Sequence, residues 1–305
     1  MPSLIINIIG AGSMGHLWAA HLLKQHNHVR IFGRSSKPKQ TYRLRKPNQQ
    51  FNYELSISTL KDWHTADWTL VCVKAGSLKP LCKQLASLST PPKSILLIMN
   101  GLGLIDIVNR AIPNCSVYHA STSHGATLSA DELKHTGTGC TRIGDLYPPD
   151  DTSSNLSVLS LIKILDVALP QTTWNQDHGH TLWKKLLVNS VINPLTAIYN
   201  IKNGSITGDP MVKQHAIQLV RELESIIEYY LPNESWHSIW QEIITVSQLT
   251  SENRSSMLQD IDAKRKTEVE FITGHLLATA KLRHITLAGH QRIYDQVRAL
   301  EHIID

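Results

Sequence analysis

The sequence predicts an α/β domain followed by an all-helical domain. Three observations carry this expectation. Short apolar runs alternate with helical patterns through the first half of the chain. A glycine-rich turn at residues 10–15 joins the first apolar run to the first helical pattern. After Trp174 strand signals stop and long patterns of 3.6-residue period take over. The expected domains are 1–174 and 175–305.

Each element has its own signal. Residues 4–9 form a buried-strand run that ends at Gly10, 14–24 read as a helix and 29–32 as the next strand. Residues 69–73, 95–99 and 116–120 repeat the strand signal, with helical patterns at 77–87 and 104–111 between them. Such alternation with short connections predicts a parallel sheet covered on both faces. Residues 133–147 are punctuated by glycine and read as a hairpin or edge strands. A polar turn follows at 148–155, then a helix at 157–168. Beyond it, helices are expected at 179–199, 211–231, 235–249 and 253–282. The glycines and proline of residues 200–210 separate the first two.

At 305 residues the chain is long enough for two domains with substantial cores. Its net charge of +5 suits an anionic small ligand and is too small and too evenly spread for nucleic acid. Cys72, Cys82, Cys115 and Cys140 form no C-x-x-C pair and read as reduced cytosolic thiols. The opening M-P-S-L-I-I-N-I-I-G lacks a basic region, so no signal peptide is expected, and no run approaches the ~18 apolar residues of a membrane span. The expectation is a cytoplasmic protein without a membrane partner. Sixteen histidines include the close pair His178 and His180, but no H-E-x-x-H or paired Cys/His framework exists, so no metal is expected. Trp236 and Trp240, four apart, read as one packed helix face.

The turn Gly10-Ala11-Gly12-Ser13-Met14-Gly15 lies between a strand and a helix inside a βαβ pattern. There Gly10 permits the tight turn, Gly12 lets backbone approach a pyrophosphate, and Gly15 lets the helix pack against the strand. This context points to a dinucleotide. An NAD site would place an acid at the end of the second strand, for the ribose 2′-hydroxyl. Gly33-Arg34-Ser35-Ser36-Lys37 stands there instead, and Arg34 and Lys37 can neutralise a 2′-phosphate. NADP is therefore favoured.

In the second half, Lys185, Asn189 and Asn193 are spaced four apart, on one stripe of a helix otherwise rich in Leu, Val and Ile. Buried there, they need partners; a polar exposed face is the alternative. Lys184 can point to solvent. Asn253 reads as a helix cap with Ser255 and Ser256 in the first turn. Glu268, twelve residues past Ser256, lies about 120° round an ideal helix from it and by periodicity alone is a surface acid.

These residues add up to a resemblance. The chain is similar to the ketopantoate reductase (2-dehydropantoate 2-reductase) family over nearly its whole length. The matching segments are G-A-G-S-M-G at 10–15, V-K-A at 73–75, M-N-G-L-G at 99–103, T-S-H-G-A at 122–126, L-W-K-K-L-L-V-N-S-V-I-N-P-L-T-A at 182–197, E-N-R-S-S-M-L-Q-D-I at 252–261 and K-T-E-V-E-F-I-T-G at 266–274. The chain departs from the family at Gly76-Ser77 and in residues 284–290, which lack a proline-rich turn.

The resemblance implies a Rossmann-type domain, then a helical domain, with the active site in the cleft and Asn100 near Lys185. It implies NADPH-dependent reduction of 2-dehydropantoate, a small 2-oxo acid, to (R)-pantoate on the way to pantothenate and coenzyme A. Lys185 would be the catalytic acid, assisted by Glu268. Asn100, Asn189, Asn193, Asn253 and Ser256 would bind substrate. Gly10, Ala11, Gly12, Ser13, Met14, Gly15, Arg34, Lys74 and Asn100 would hold NADPH. A protonated lysine offsets the negative charge that hydride addition leaves on a ketone oxygen, and donates a proton to it. Asparagines suit a hydroxylated substrate, since an amide both donates and accepts. The alternatives are an NADP-dependent reductase of another 2-oxo or 3-oxo acid, and a non-catalytic NADPH-binding sensor. No segment specifies an oligomer.

Overall fold

The computed structural model describes residues 4–46, 49–146 and 155–302. The polar turn expected at 148–155 lies, apart from residue 155, outside the described residues. The chain divides into two compact units, Met1–Gly179 and His180–Asp305.

The first unit is built on a sheet of eleven strands among the described residues. In chain order these are β1 (Ile5–Ile9), β2 (His28–Phe32), β3 (Lys37–Lys46), β4 (Gln49–Ser58), β5 (Trp68–Val71), β6 (Ser94–Ile98), β7 (Ser116–Thr122), β8 (Gly125–Ser129), β9 (Glu132–Gly137), β10 (Thr141–Gly144) and β11 (Thr172–Trp174). Their spatial order is β11-β10-β7-β6-β5-β1-β2-β4-β3-β9-β8. The six strands from β7 to β4 are parallel to their neighbours, with Ile8 of β1 opposite Ile31 of β2 and Leu70 of β5. The chain runs from β1 to β2 on one side and later returns to β5 on the other, which makes the end of β1 a topological switch point.

The expectation of a parallel sheet holds for this centre and fails at the flanks. β3 pairs antiparallel with β4, β8 with β9, and β10 with β7. The β3–β4 segment carries only two or three inward apolar residues per strand, Tyr42 and Leu44 facing Tyr53, Leu55 and Ile57, with Lys, Arg, Gln and Glu outward. Its period-2 signal is thus diluted by charge.

Helices α1 (Ser13–Lys24), α2 (Leu78–Ala86), α3 (Leu104–Ala111) and α4 (Asn155–Ala168) complete the unit. Leu17, Trp18 and Leu22 of α1 and Val158, Leu161 and Leu165 of α4 join Ile6 and Ile8 of β1 in one core. A polar cluster is also buried here. His16 Nδ1 lies 2.9 Å from the Tyr53 hydroxyl, and His124 Nδ1 3.2 Å from His135 Nε2. Burial, helped by Lys37, pushes the His16 pKa down to about 4. Burial also lowers His21 to about 4, with Lys46 next in effect, and His124 to about 4, with His135 next. The four cysteines are free thiols.

Past Trp174 the described residues contain helices and turns: α5 (His178–Tyr199), α6 (Ser205–Gly208), α7 (Pro210–Glu222), α8 (Glu224–Tyr230), α9 (Trp236–Leu249), α10 (Ser256–Asp262), α11 (His275–Leu282) and α12 (Ala288–His302), with a π-helical segment at Glu270–Gly274. A second core forms around Leu187, Val191 and Leu195 of α5, with Leu219, Ile239, Ile243 and Leu276. Trp240 is buried, and Trp236 packs against this core beneath the Arg221 guanidinium.

Two of the expected long helices are broken. The 211–231 pattern divides at Leu223 into α7 and α8. The 253–282 pattern divides into α10, the π-helical segment and α11, because residues 262–266 are all exposed and Lys264 takes a positive φ of 52°. A run of five exposed residues has no apolar face to pack, so the ladder stops there. The cap also differs. Ser255, not Asn253, caps α10, its Oγ accepting from the Leu258 amide at 3.1 Å. Among the described residues no helix is long and apolar enough to cross a membrane, and no group of three or more metal-ligating side chains occurs.

Candidate active site

The glycine loop opens α1 directly from β1. Gly10 takes φ +113°, and a Cβ there would lie 2.6 Å from the Cys72 carbonyl oxygen; one on Gly15 would lie 1.9 Å from the Gly10 oxygen. Only glycine fits either place. Around Gly12 an added Cβ would meet nothing within 4 Å, so its backbone is open to a ligand. No side chain caps α1, and its first turn holds no acid. A pyrophosphate fits this end of the helix, where backbone N–H groups and the helix dipole both favour an anion. The Leu128 amide of β8 donates to Ser13 Oγ at 3.0 Å, which leaves the Ser13 hydroxyl proton for another acceptor.

The other cofactor-side positions stand at the carboxyl ends of neighbouring parallel strands. Gly33 and Arg34 follow β2, the 10–15 loop follows β1, Lys74 follows β5, and Asn100 follows β6. Ligands of open α/β sheets bind at these strand ends. Arg34 and Lys37 are exposed, and residues 33–37 contain no acid. Lys74 is exposed and Asn100 half-buried. Gly101 and Gly103 take φ of 111° and 74°, so the Asn100 loop needs its glycines. His119, buried on β7, donates from Nε2 to the Met99 carbonyl at 2.9 Å and meets His178 Nε2 through Nδ1 at 3.1 Å. His178 is thus a partner of His119, while His180 lies 3.4 Å from Glu234.

In the second unit α5 carries Lys185, Asn189 and Asn193 on one stripe. Lys185 and Asn189 are half-buried and Asn193 is 7% exposed. Neither asparagine side chain hydrogen-bonds to another described residue. Pro194 removes the amide that would have bonded the Ser190 carbonyl, opening the ladder beside Asn193. Lys184 is not simply solvated: its Nζ donates to Glu234 Oε1 at 2.9 Å.

Asn253 and Ser256 are exposed, at the turn entering α10. Thr196 Oγ1 lies 2.7 Å from Ser255 Oγ, which fastens this turn to α5 three residues past Asn193. The Asn253 carbonyl accepts from the Asn203 amide at 2.9 Å. Glu268 is half-buried just before the π-helical segment, its carbonyl accepting from the Phe271 and Ile272 amides at 3.0 and 3.1 Å. Since the helix is interrupted between them, the 120° separation of Ser256 and Glu268 does not apply. Sequence reasoning missed Thr196, His119 and Glu301. A buried hydroxyl three residues after an asparagine, inside an apolar helix, was the one signal available.

Comparison with known proteins places the chain. Residues 6–148 match the family model "Ketopantoate reductase PanE/ApbA", and residues 177–301 match its C-terminal companion. A 2-dehydropantoate 2-reductase from Shigella flexneri is 34% identical over 298 residues, covering 97% of this chain and 95% of the relative. The chain is an enzyme of the ketopantoate reductase family. Among solved structures, a dimeric ketopantoate reductase from Staphylococcus aureus shares the fold at a TM-score of 0.82 and 23% identity, over 99% of this chain and 100% of that one. A D-mandelate dehydrogenase solved with NADH shares the fold at a TM-score of 0.85 and 18% identity, over 98% of both chains. The family architecture, a sheet domain followed by a helical region, is the one described here.

Proposed function

We propose that this member of the ketopantoate reductase family reduces 2-dehydropantoate to (R)-pantoate with NADPH, in the cytoplasm, on the way to pantothenate and coenzyme A. The observation that carries the reading is the α5 stripe, where Lys185 stands in line with two asparagines whose side chains have no described partner. In an apolar helix such amides are costly unless a ligand meets them.

In this reading the first unit holds the cofactor. The backbone of Gly10, Ala11, Gly12, Ser13, Met14 and Gly15 takes the pyrophosphate, Arg34 the 2′-phosphate, and Lys74 and Asn100 further polar groups. NADPH supplies the hydride. Lys185 donates a proton to the ketone oxygen and offsets its growing negative charge. Glu268 favours the charged form of that lysine. Asn189, Asn193, Asn253 and Ser256 hold the substrate's hydroxyl and carboxylate groups, and Asn100 touches both ligands. A carboxylate substrate suits the chain's net charge of +5.

The test is NADPH absorbance with 2-dehydropantoate and, separately, with other 2-oxo and 3-oxo acids. Turnover with 2-dehydropantoate at a kcat/KM well above the rest is expected. Preference for another oxo acid would reassign the substrate, and NADPH binding without any turnover would replace the enzyme by a sensor.

A further inference from the structure

We infer that Glu301 is a positioning residue for Glu268, fixing the backbone on which the proposed partner of Lys185 stands. The inference rests on the assignment of Glu268 under the proposed function.

Glu301 lies in the last turn of α12, 34 residues beyond Thr267. It is 5% exposed. This is a poor place for a carboxylate, since the charge is both buried and at the negative end of the helix dipole. Its contacts explain it. Oε1 accepts from the Thr267 amide and the Thr267 hydroxyl, each at 2.7 Å, and Oε2 accepts from Arg298 at 2.7 Å. Bonds to a charged acceptor are roughly twice as strong as neutral ones.

These contacts bracket Glu268. The Thr267 amide goes to Glu301 on one side. On the other, the Val269 amide donates to Thr267 Oγ1 at 3.2 Å, so the hydroxyl that Glu301 orients also closes the turn around residue 268. The Glu268 carbonyl is held by the next two amides of the π-helical segment. A second tie from the same helix, the Tyr294 hydroxyl to Glu270, holds the following turn. Upstream, residues 262–266 are exposed, with Asp262 tied to Arg254 and Arg265 to Asp260. Glu301 is thus a buried charge that anchors the chain one residue before Glu268. Displacing a catalytic group by about 1 Å can cost on the order of a hundredfold in rate.

The experiment is a double-mutant cycle on the full chain, read by kcat and KM for 2-dehydropantoate with NADPH and by Tm. Glu301→Ala alone should lower kcat about 10–100-fold with KM for NADPH unchanged. Glu301→Gln, which keeps an acceptor, should restore most of it. In a Glu268→Ala background, Glu301→Ala should cost the same Tm but no further kcat. An equal loss of kcat in both backgrounds would mean that Glu301 acts on folding alone, and would overturn the inference while leaving Glu268 in its role. Full turnover by Glu268→Ala would overturn that role and the inference with it. Should Glu301→Ala fail to fold, Thr267→Val removes the hydroxyl half of the contact and runs through the same cycle.

Discussion

Thr196 Oγ1 lies 2.7 Å from Ser255 Oγ, and both side chains are buried. The contact holds the turn bearing Asn253 and Ser256 against the helix bearing Asn193. Thr196→Val keeps the shape and removes this bond, leaving Ser255 Oγ with the Leu258 amide, at a cost of about 1 kcal/mol. A lower Tm is expected, together with a raised KM for the oxo acid and an unchanged KM for NADPH. A change in the NADPH KM instead would place the effect elsewhere.

Lys185→Ala should lower kcat by about 10²–10⁴-fold, the range for general acid catalysis. Its neighbour Lys184 is bound to Glu234, on a different side of the helix. Lys184→Ala should therefore shift Tm slightly and kcat by less than about threefold, since half-exposed ion pairs contribute little. Steady-state kinetics of the two variants side by side decides the helix phase. An essential Lys184 with a dispensable Lys185 would reverse it.

Arg34 follows β2, and residues 33–37 contain no acid. Arg34→Ala should weaken NADPH by a factor of ten or more and leave NADH nearly unchanged, as loss of a charge-assisted phosphate contact requires. Fluorescence titration with both nucleotides measures it, and equal losses would remove Arg34 from the 2′-phosphate.

Acid should destabilise the first unit in a defined window. The folded protein holds His16, His21 and His124 neutral down to about 4, against an ordinary value of 6.5. Between those values the unfolded chain binds more protons, so stability falls with pH through the window and the loss is complete below about 4. Urea midpoints from pH 7.5 to pH 4 should fall steadily below about 6.5. A flat midpoint would mean these imidazoles take up protons without cost.

The sequence is legible where one physical signal dominates. β1, β5 and β6 are near-continuous apolar runs because they are buried along nearly their whole length, β2 and β7 show shorter apolar stretches, and α1, α3 and α5 end within a residue or two of their patterns. The glycine loop is legible because its conformation excludes other residues. The β3–β4 pair is hidden because alternate residues are charged and long. The gap between α10 and the π-helical segment is hidden because Lys264, Arg265 and Lys266 are good helix formers, while the helix ends at a left-handed Lys264 with the Arg265 amide bonded back to the Asp260 carbonyl. Glu268 looks like a surface acid for the same reason. Its neighbour Thr267 is bonded to Glu301, and no local pattern links residues 34 apart.

The bond from the Leu128 amide to the Ser13 hydroxyl has a practical side. β8 is the last strand of its sheet, and this N–H is satisfied by the mouth of the glycine loop rather than by another strand. If Ser13 gives its proton to a phosphate, its oxygen becomes a better acceptor for that amide, because linked hydrogen bonds polarise one another. The Leu128 resonance is then a built-in spectroscopic reporter of loop occupancy, 115 residues away in sequence, readable in a labelled protein without touching the site itself.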